Sequence, residues 1–354
     1  MVIRRLPASV AAVLSAVLIL TLLIGCAPKA PAEALDWRLQ SVYPPGSKLY
    51  DEFILYFVDE VAKRSDGNIK ITPFPPGAIV KTTELLDSVA KGVVEMGVAS
   101  GIYFAGKVPE AIIEMGLPFS YPFDADITYE LMYEYQDGKW RDLINAAWHE
   151  KGVHALVHFV VTGYGLMTRD PVTNLDDLKG KKIRTFAHFT TLLKGVGVST
   201  TGIAPAEQYM ALKTGVIDGT LYPFYSLETY KFYEVCKTVV MPRVLGSIPL
   251  PVFVSLEEWN KLSPATQEIL VKAARKAAVR YSKIAWEYEG EVLDKAREVY
   301  GVQTFTLPEE DVAKLEKVAA AIWKGVAGKT PRCDELVDVV KQFLEAKKIG
   351  YPGG

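Results

Sequence analysis

The chain has 354 residues, 49% of them hydrophobic and 23% charged, which is enough apolar material for a sizeable core and too much for a largely disordered chain. Forty lysines and arginines stand against 42 aspartates and glutamates, a net charge of −2, so the basic excess that nucleic-acid binding needs is missing. Cys26, Cys236 and Cys333 are too few for a disulfide scaffold and lack metal-ligand spacing, and the length predicts two domains.

Arg4 and Arg5 precede an uncharged apolar run from Val10 to Ile24, the pattern of a secretory signal peptide over residues 1–25. The competing reading is a transmembrane anchor, although the run falls short of the ~20 apolar residues a span needs. Its end, Leu23-Ile24-Gly25-Cys26, resembles the bacterial lipobox, in which the cysteine receives a lipid before cleavage. A lipid on Cys26 would hold the remainder on a membrane surface, in the periplasm or at the cell surface.

Residues 26–34, with two prolines and four alanines, read as a tether. Trp37 to Val42 alternates like a strand, Pro44-Pro45-Gly46 turns the chain, and Lys48 to Arg64 carries apolar residues at helical spacing. Asp66-Gly67 then leads into Ile69 to Phe74, a second strand. This βαβ beginning predicts a parallel pairing.

Glu84-Leu-Leu-Asp-Ser-Val-Ala-Lys-Gly92-Val93-Val94-Glu95 recurs in outline as Glu207-Gln-Tyr-Met-Ala-Leu-Lys-Thr-Gly215-Val216-Ile217-Asp218. Each copy predicts a helix ended by a left-handed glycine, then a strand. The two strand ends are candidates for facing positions in two similar lobes. Such joints also recur in unrelated α/β proteins.

Val153 to Thr168 and Thr238 to Ser255 are long extended segments able to pass between lobes, as a hinge requires. Ser263-Pro264 reads as an N-cap followed by a first-turn proline, opening a helix that continues to about Tyr300 and is long enough to run along both lobes. Leu307-Pro308-Glu309-Glu310 and Thr330-Pro331 open two more helices, with acids where the helix dipole favours them. The expected division is lobe I over residues 35–158 with about 245–262 returning to it, lobe II over 159–244, and C-terminal helices over 263–354.

The histidines, His149, His154, His158 and His188, form no catalytic or metal constellation: His154 and His158 lie in a strand-like run, where residues four apart sit roughly 13 Å from each other. Phosphate-loop and nucleophile-elbow motifs are absent from the sequence. Gly195-Val196-Gly197 reads as a turn, and Asp176-Asp177 as a solvated one. Arg184 stands apart. Its planar, always-charged fork between apolar neighbours suits bidentate capture of a carboxylate, or it is an ordinary structural arginine.

At Asp177-Leu178-Lys179-Gly180-Lys181-Lys182-Ile183-Arg184, with Gly215-Val216-Ile217-Asp218-Gly219…Pro223 and Lys231-Phe232-Tyr233-Glu234-Val235, the chain resembles the DctP-type solute receptors of tripartite ATP-independent periplasmic (TRAP) transporters. The resemblance extends upstream through Phe57…Glu60-Val61…Gly67…Ile69. It implies a two-lobed periplasmic-binding-protein-like α/β fold, each lobe a mixed sheet flanked by helices, with hinge strands and a long helix spanning both lobes. It also implies a function, capture of an organic acid by lobe closure and delivery to a small and a large integral membrane subunit.

Carried over by position, Arg184 matches the arginine that pairs with the ligand carboxylate, and Tyr222 falls where many members place an asparagine holding the same group. Tyr43, Thr82 and Ser100 fall at other pocket positions. A second pocket arginine expected near Tyr164 or Gly165 is lacking, and Leu221-Tyr222 replaces the Glu-Trp pair of metal-dependent relatives, so neither a metal nor a cofactor is expected. Tyr43, Tyr103, Phe104, Tyr164, Phe186 and Tyr222 are candidates to line the cleft, the competing reading being that half of them are core, and such a wall with one arginine suits a monocarboxylate with an apolar or aromatic body. A heavily hydroxylated acid would leave its hydroxyls unpaired there. A signalling receptor that senses its ligand, or an extracytoplasmic enzyme on the same scaffold, is the alternative.

Overall fold

The computed structural model describes residues 33–203 and 205–354. The expected leader, the lipobox with Cys26 and most of the tether lie outside the described residues. The first elements are β1 (Leu35–Ser41), α1 (Leu55–Arg64, entered through a π-helical stretch at Leu49–Ile54), β2 (Ile69–Phe74), α2 (Leu85–Ala90) and β3 (Met96–Val98). Then come α3 (Ala111–Met115), α4 (Ala125–Tyr133), α5 (Lys139–His149) and β4 (Val153–Thr162).

The middle of the chain builds β5 (Gly165–Thr168), β6 (Lys182–Arg184), α6 (Ala187–Gly195), β7 (Ser199–Thr201), α7 (Gln208–Thr214), β8 (Gly219–Tyr222), α8 (Ser226–Thr229) and β9 (Thr238–Met241). The last part holds β10 (Ser247–Ser255), α9 (Leu256–Lys261), α10 (Pro264–Glu298), β11 (Gln303–Thr306), α11 (Glu309–Ala327) and α12 (Pro331–Ala346).

These strands form two mixed sheets, β2-β1-β3-β10-β4 and β11-β9-β5-β8-β6-β7. In the first, β1 alternates as a half-buried strand should, with Trp37 and Leu39 inside and Asp36 and Arg38 outside. It pairs in parallel with β2 and β3, while β10 runs antiparallel to β3 and β4. In the second, β6 pairs in parallel with β7 and β8, and β5 runs antiparallel to β8 and β9.

The repeated helix–glycine–strand unit occupies equivalent places in the two lobes. Helices α2 and α7 each run into a left-handed glycine, Gly92 at φ +67° and Gly215 at φ +76°, before the chain enters β3 or β8. Only glycine reaches such angles without a steric penalty, so the unit ends its helix at a fixed point.

Among the described residues two direct strand-to-strand crossings join the sheets, β4 to β5 through Gly163 and Tyr164 and β9 to β10 through residues 242–246, and a long helix carries the chain from β10 to β11. The first sheet keeps the chain as far as Thr162, four residues beyond the boundary expected at 158, because β4 pairs with β10 along its whole length, to Thr162↔Ser247. The C-terminal region is not purely helical either, since β11 joins the edge of the second sheet beside β9.

Helix α10 has 35 residues and so measures about 52 Å. The Ser263 hydroxyl accepts a bond from the Thr266 amide at its start, and Pro264 occupies the first turn. Ala273, Ala274, Ala277, Ala278 and Ala285 form a buried face of small side chains, which lets the helix lie close against β4 and α1 before it reaches α8 and β11 of the other lobe. Helices α11 and α12 complete the bridge, α11 packing on α6 of lobe II and α12 on α5 of lobe I.

Candidate ligand-binding site

A cavity of ≈ 420 Å³ lies between the lobes. Its wall is built largely where parallel strands end: Tyr43 follows β1, Ser100 follows β3, Arg184 ends β6 and Tyr222 ends β8. Carboxyl ends of parallel strands are the general site of ligand binding in open α/β sheets, because the loops there are free of ladder pairing. The repeated unit accounts for two of these four strand ends, since Ser100 leaves one copy and Tyr222-Pro223 the other.

Lobe I contributes Tyr43, Leu49, Ser100, Ile102 and Tyr103, together with Val161 of β4 and Ile248 and Leu250 of β10, and the first crossing contributes Tyr164. Lobe II supplies Arg184, Phe186, Ala187, Ile203 and Pro205 on one side and Tyr222, Pro223 and Tyr225 on the other. Arg184 is therefore the only ionised side chain in the lining among the described residues.

Arg184 is 6% exposed. Its Nε donates to the Ile203 carbonyl at 3.0 Å and its Nη1 to the Leu221 carbonyl at 3.5 Å, and its remaining N–H groups have no partner among the described residues. The guanidinium carbon sits 5.1 Å from the ring centres of both Phe186 and Tyr222. No carboxylate of the described residues pairs with it. Burial accordingly pushes its pKa down, opposed by the phenols of Tyr222, Tyr164 and Tyr103. A buried cation held by carbonyl dipoles and ring faces, with no counter-ion among the described residues, has the chemistry to pair with an anion that enters the cavity.

The aromatic wall is interlocked around that cation. Tyr164 stacks on Tyr222 with centroids 5.9 Å apart and meets the edge of Phe186 at 5.4 Å. Burial raises the pKa of Tyr43, Tyr222 and Tyr225 well above the usual phenol value, so these hydroxyls stay neutral and can donate or accept.

Of the site residues expected from sequence, Arg184, Tyr222, Tyr43, Ser100, Tyr164 and Phe186 come together in this lining, with Tyr103 beside them. Two do not. Phe104 is 4% exposed and packs edge-on against Phe253, because the short turn Gly101–Phe104 sends consecutive side chains in opposite directions, Tyr103 to the cavity and Phe104 into the core. Thr82 lies outside the lining. The buried Gln40 side chain grips the backbone at Ile79 and Val80, and the chain turns from there toward α2, carrying Thr82 away.

Ile203, Pro205, Tyr225, Ile248 and Leu250 were not among the residues expected from sequence. Ile248 and Leu250 lie inside a segment that reads as a crossing, so a signal for them exists. Ile203 and Pro205 have no pattern of their own. Cys236 is buried in the lobe II core and Cys333 is buried in the first turn of α12.

The model of the family described as bacterial extracellular solute-binding protein, family 7, matches residues 39–330. The 2,3-diketo-L-gulonate-binding periplasmic protein YiaO of Escherichia coli K12 is 29% identical over 254 residues, covering 71% of this chain and 75% of that protein. Among solved structures, a TRAP periplasmic solute-binding protein of Pseudoalteromonas atlantica with bound sodium and pyruvate has a TM-score of 0.78 at 21% identity, covering 89% of this chain and 95% of that one. One from Chromohalobacter salexigens with bound D-glucuronate has a TM-score of 0.75 at 23% identity, covering 87% and 99%.

Proposed function

The chain belongs to family 7 of the bacterial extracellular solute-binding proteins, the DctP-type receptors of TRAP transporters, and we propose that its ligand is an organic monocarboxylate with an apolar or aromatic body. The observation that carries this reading is Arg184, a buried guanidinium that among the described residues has no counter-ion and is the one charged side chain of a tyrosine-rich cavity between two lobes. A carboxylate would complete its hydrogen bonds and cancel the charge. The rest of the ligand would meet rings and aliphatic side chains, which reward apolar area and leave excess hydroxyls unpaired. Diketogulonate, glucuronate and pyruvate, the ligands named for the three relatives above, all carry the carboxylate this reading requires.

Binding works by differential affinity. A ligand held by Arg184 of lobe II and covered by lobe I favours the closed arrangement by as much as it binds that arrangement better. The closed receptor then hands the acid to the transporter's two membrane subunits. Lipid attachment at Cys26 after removal of residues 1–25 would keep the receptor near those subunits, and labelling of the full chain with a radioactive fatty acid, lost in Cys26→Ala, tests it. No nucleophile paired with a base lines the cavity among the described residues, so a receptor is favoured over an enzyme.

A thermal-shift screen against aliphatic, aromatic, keto-, di- and sugar carboxylates tests the ligand class. Aromatic and branched apolar monocarboxylates should raise the melting temperature at concentrations above their Kd. Stabilisation by D-glucuronate but not by these acids would reject the reading.

A further inference from the structure

Eight large apolar side chains stand exposed among the described residues, and Tyr103 is the one of them that lines the cavity. Tyr103 is 53% exposed, whereas the other ring-bearing residues of the wall are half-buried, with Tyr164, Phe186 and Tyr222 packed on one another. The ring is not on a loose loop. Tyr103 donates its amide to the Ser100 carbonyl at 3.3 Å, Phe104 behind it is anchored on Phe253, and Gly101 lies so close to the buried Glu114 carboxylate that a Cβ there would sit 2.0 Å from it. Lobe I thus presents one rigidly based, uncovered aromatic face to the space in front of Arg184. The two are near enough that the Arg184 charge pulls the Tyr103 phenol down against the burial that raises it.

Resting on the reading that Arg184 takes the carboxylate, we propose that Tyr103 is the specificity-determining residue of lobe I, the ring that lies on a flat, uncharged aromatic body of the ligand when the lobes close. An exposed ring in a binding cleft is covered at a gain, and a flat π-surface covers it better than an aliphatic chain of equal size. Among the described residues lobe I adds no charged side chain to the lining, so a second carboxylate at that end would meet Leu49, Ile102 and Tyr103 without a counter-ion. The ring therefore selects for aromatic monocarboxylates against both dicarboxylates and short acids.

The test is a titration-calorimetry panel of benzoate, phenylacetate and indole-3-acetate against acetate, pyruvate and succinate, on the purified wild-type protein and on Tyr103→Ala, Tyr103→Leu, Tyr103→Phe and Arg184→Ala. Expected is a loss of about tenfold or more in affinity for the aromatic acids in Tyr103→Ala, a smaller loss in Tyr103→Leu, and a change under about threefold in Tyr103→Phe. Acetate and pyruvate should change less than about threefold in all three. If Arg184→Ala abolishes binding while Tyr103→Ala weakens both classes equally or neither, the carboxylate reading stands and the role of Tyr103 is overturned. If none of the acids binds the wild type, or Arg184→Ala binds them unchanged, both fall.

Discussion

Arg243 and Glu289 form a buried ion pair, Nη1 to Oε1 at 2.6 Å, where the two strand crossings meet helix α10. The other Glu289 oxygen accepts the Thr162 hydroxyl at 2.8 Å and the Tyr225 amide at 3.2 Å. The Arg243 guanidinium carbon lies 4.2 Å from the ring centres of both Phe123 and Phe224. One carboxylate on the spanning helix thereby holds the last residue of β4, the β9–β10 crossing and a cavity-lining residue beyond β8. Burial pushes Glu289 up and Arg243 down, and each partner's charge resists the other's shift.

This pair should be costly to break and cheap to replace. Glu289→Leu leaves the Arg243 charge buried and alone, which should lower stability by about 3–5 kcal/mol. Adding Arg243→Met to that variant should recover most of the loss, since two apolar side chains need no counter-ion. Urea unfolding of the two single variants and the double variant gives the coupling energy directly. Strictly additive losses would mean that the ion pair is not the unit holding this junction.

Arg184 is expected to trade stability for binding. In the absence of ligand its buried charge has carbonyls and rings but no counter-ion among the described residues, so Arg184→Met should leave the melting temperature equal or raise it. The same substitution should weaken carboxylate binding by about 2–3 kcal/mol, on the order of 30- to 150-fold in Kd. Calorimetry for the acid and a melting curve for the ligand-free protein read the two effects separately. A large drop in ligand-free stability would mark Arg184 as a structural residue.

Much of this arrangement was legible in the sequence, for reasons that differ between elements. The repeated unit announced itself because a helix must end somewhere, and Gly92 and Gly215 do it by a backbone conformation that few other residues tolerate. Helix α10 was visible from Ser263-Pro264 and its periodicity. Arg184 could be singled out because a cation between apolar neighbours is locally out of place. Phe104 could not be separated from Tyr103, since adjacent aromatics in a short turn carry no periodicity to say which one faces in. Arg243 and Glu289 were invisible because their pairing joins residues 46 apart in the sequence through geometry that only the assembled hinge creates. The edge strand β11 was missed because Gln303–Thr306 is short and mostly exposed, so it has no apolar alternation and is a strand only through its ladder with β9.

Glycines at the crossings and on the long helix should respond to alanine in opposite ways. A Cβ on Gly163 would lie 1.9 Å from the Leu245 carbonyl oxygen and 2.6 Å from the Gly246 carbonyl carbon, and Gly163 also donates its amide to the Gly246 carbonyl at 2.8 Å. Two backbones cannot give way as a side chain can, so Gly163→Ala should lose at least about 3 kcal/mol. Gly290, exposed in the interior of α10, has no atom within 4 Å of the place a Cβ would take, and Gly290→Ala should gain up to about 1 kcal/mol from helix propensity. Urea midpoints of the two variants against wild type check both signs at once.

His188 should make stability fall in mild acid. It sits next to the cavity residue Ala187, and its Nε2 donates to the Gly116 carbonyl of lobe I at 2.9 Å, while its Nδ1 is buried without a partner among the described residues. Burial pushes its pKa from the ordinary 6.5 to about 4, only partly offset by that bond. The unfolded chain thus takes up a proton near pH 6.5 that the folded protein refuses until about pH 4. Stability contributed by the neutral imidazole is complete above the unfolded value and is lost as pH falls through this window, by on the order of 3 kcal/mol. His188→Gln can still donate to Gly116 but cannot titrate, so its unfolding free energy should fall less steeply between pH 6.5 and about 4. His154, also depressed to about 4 by burial, keeps its own slope in both proteins and cancels in the difference. Parallel curves for wild type and variant would show that His188 titrates alike in the folded and unfolded chains, and that its bond to Gly116 does not depend on the imidazole being neutral.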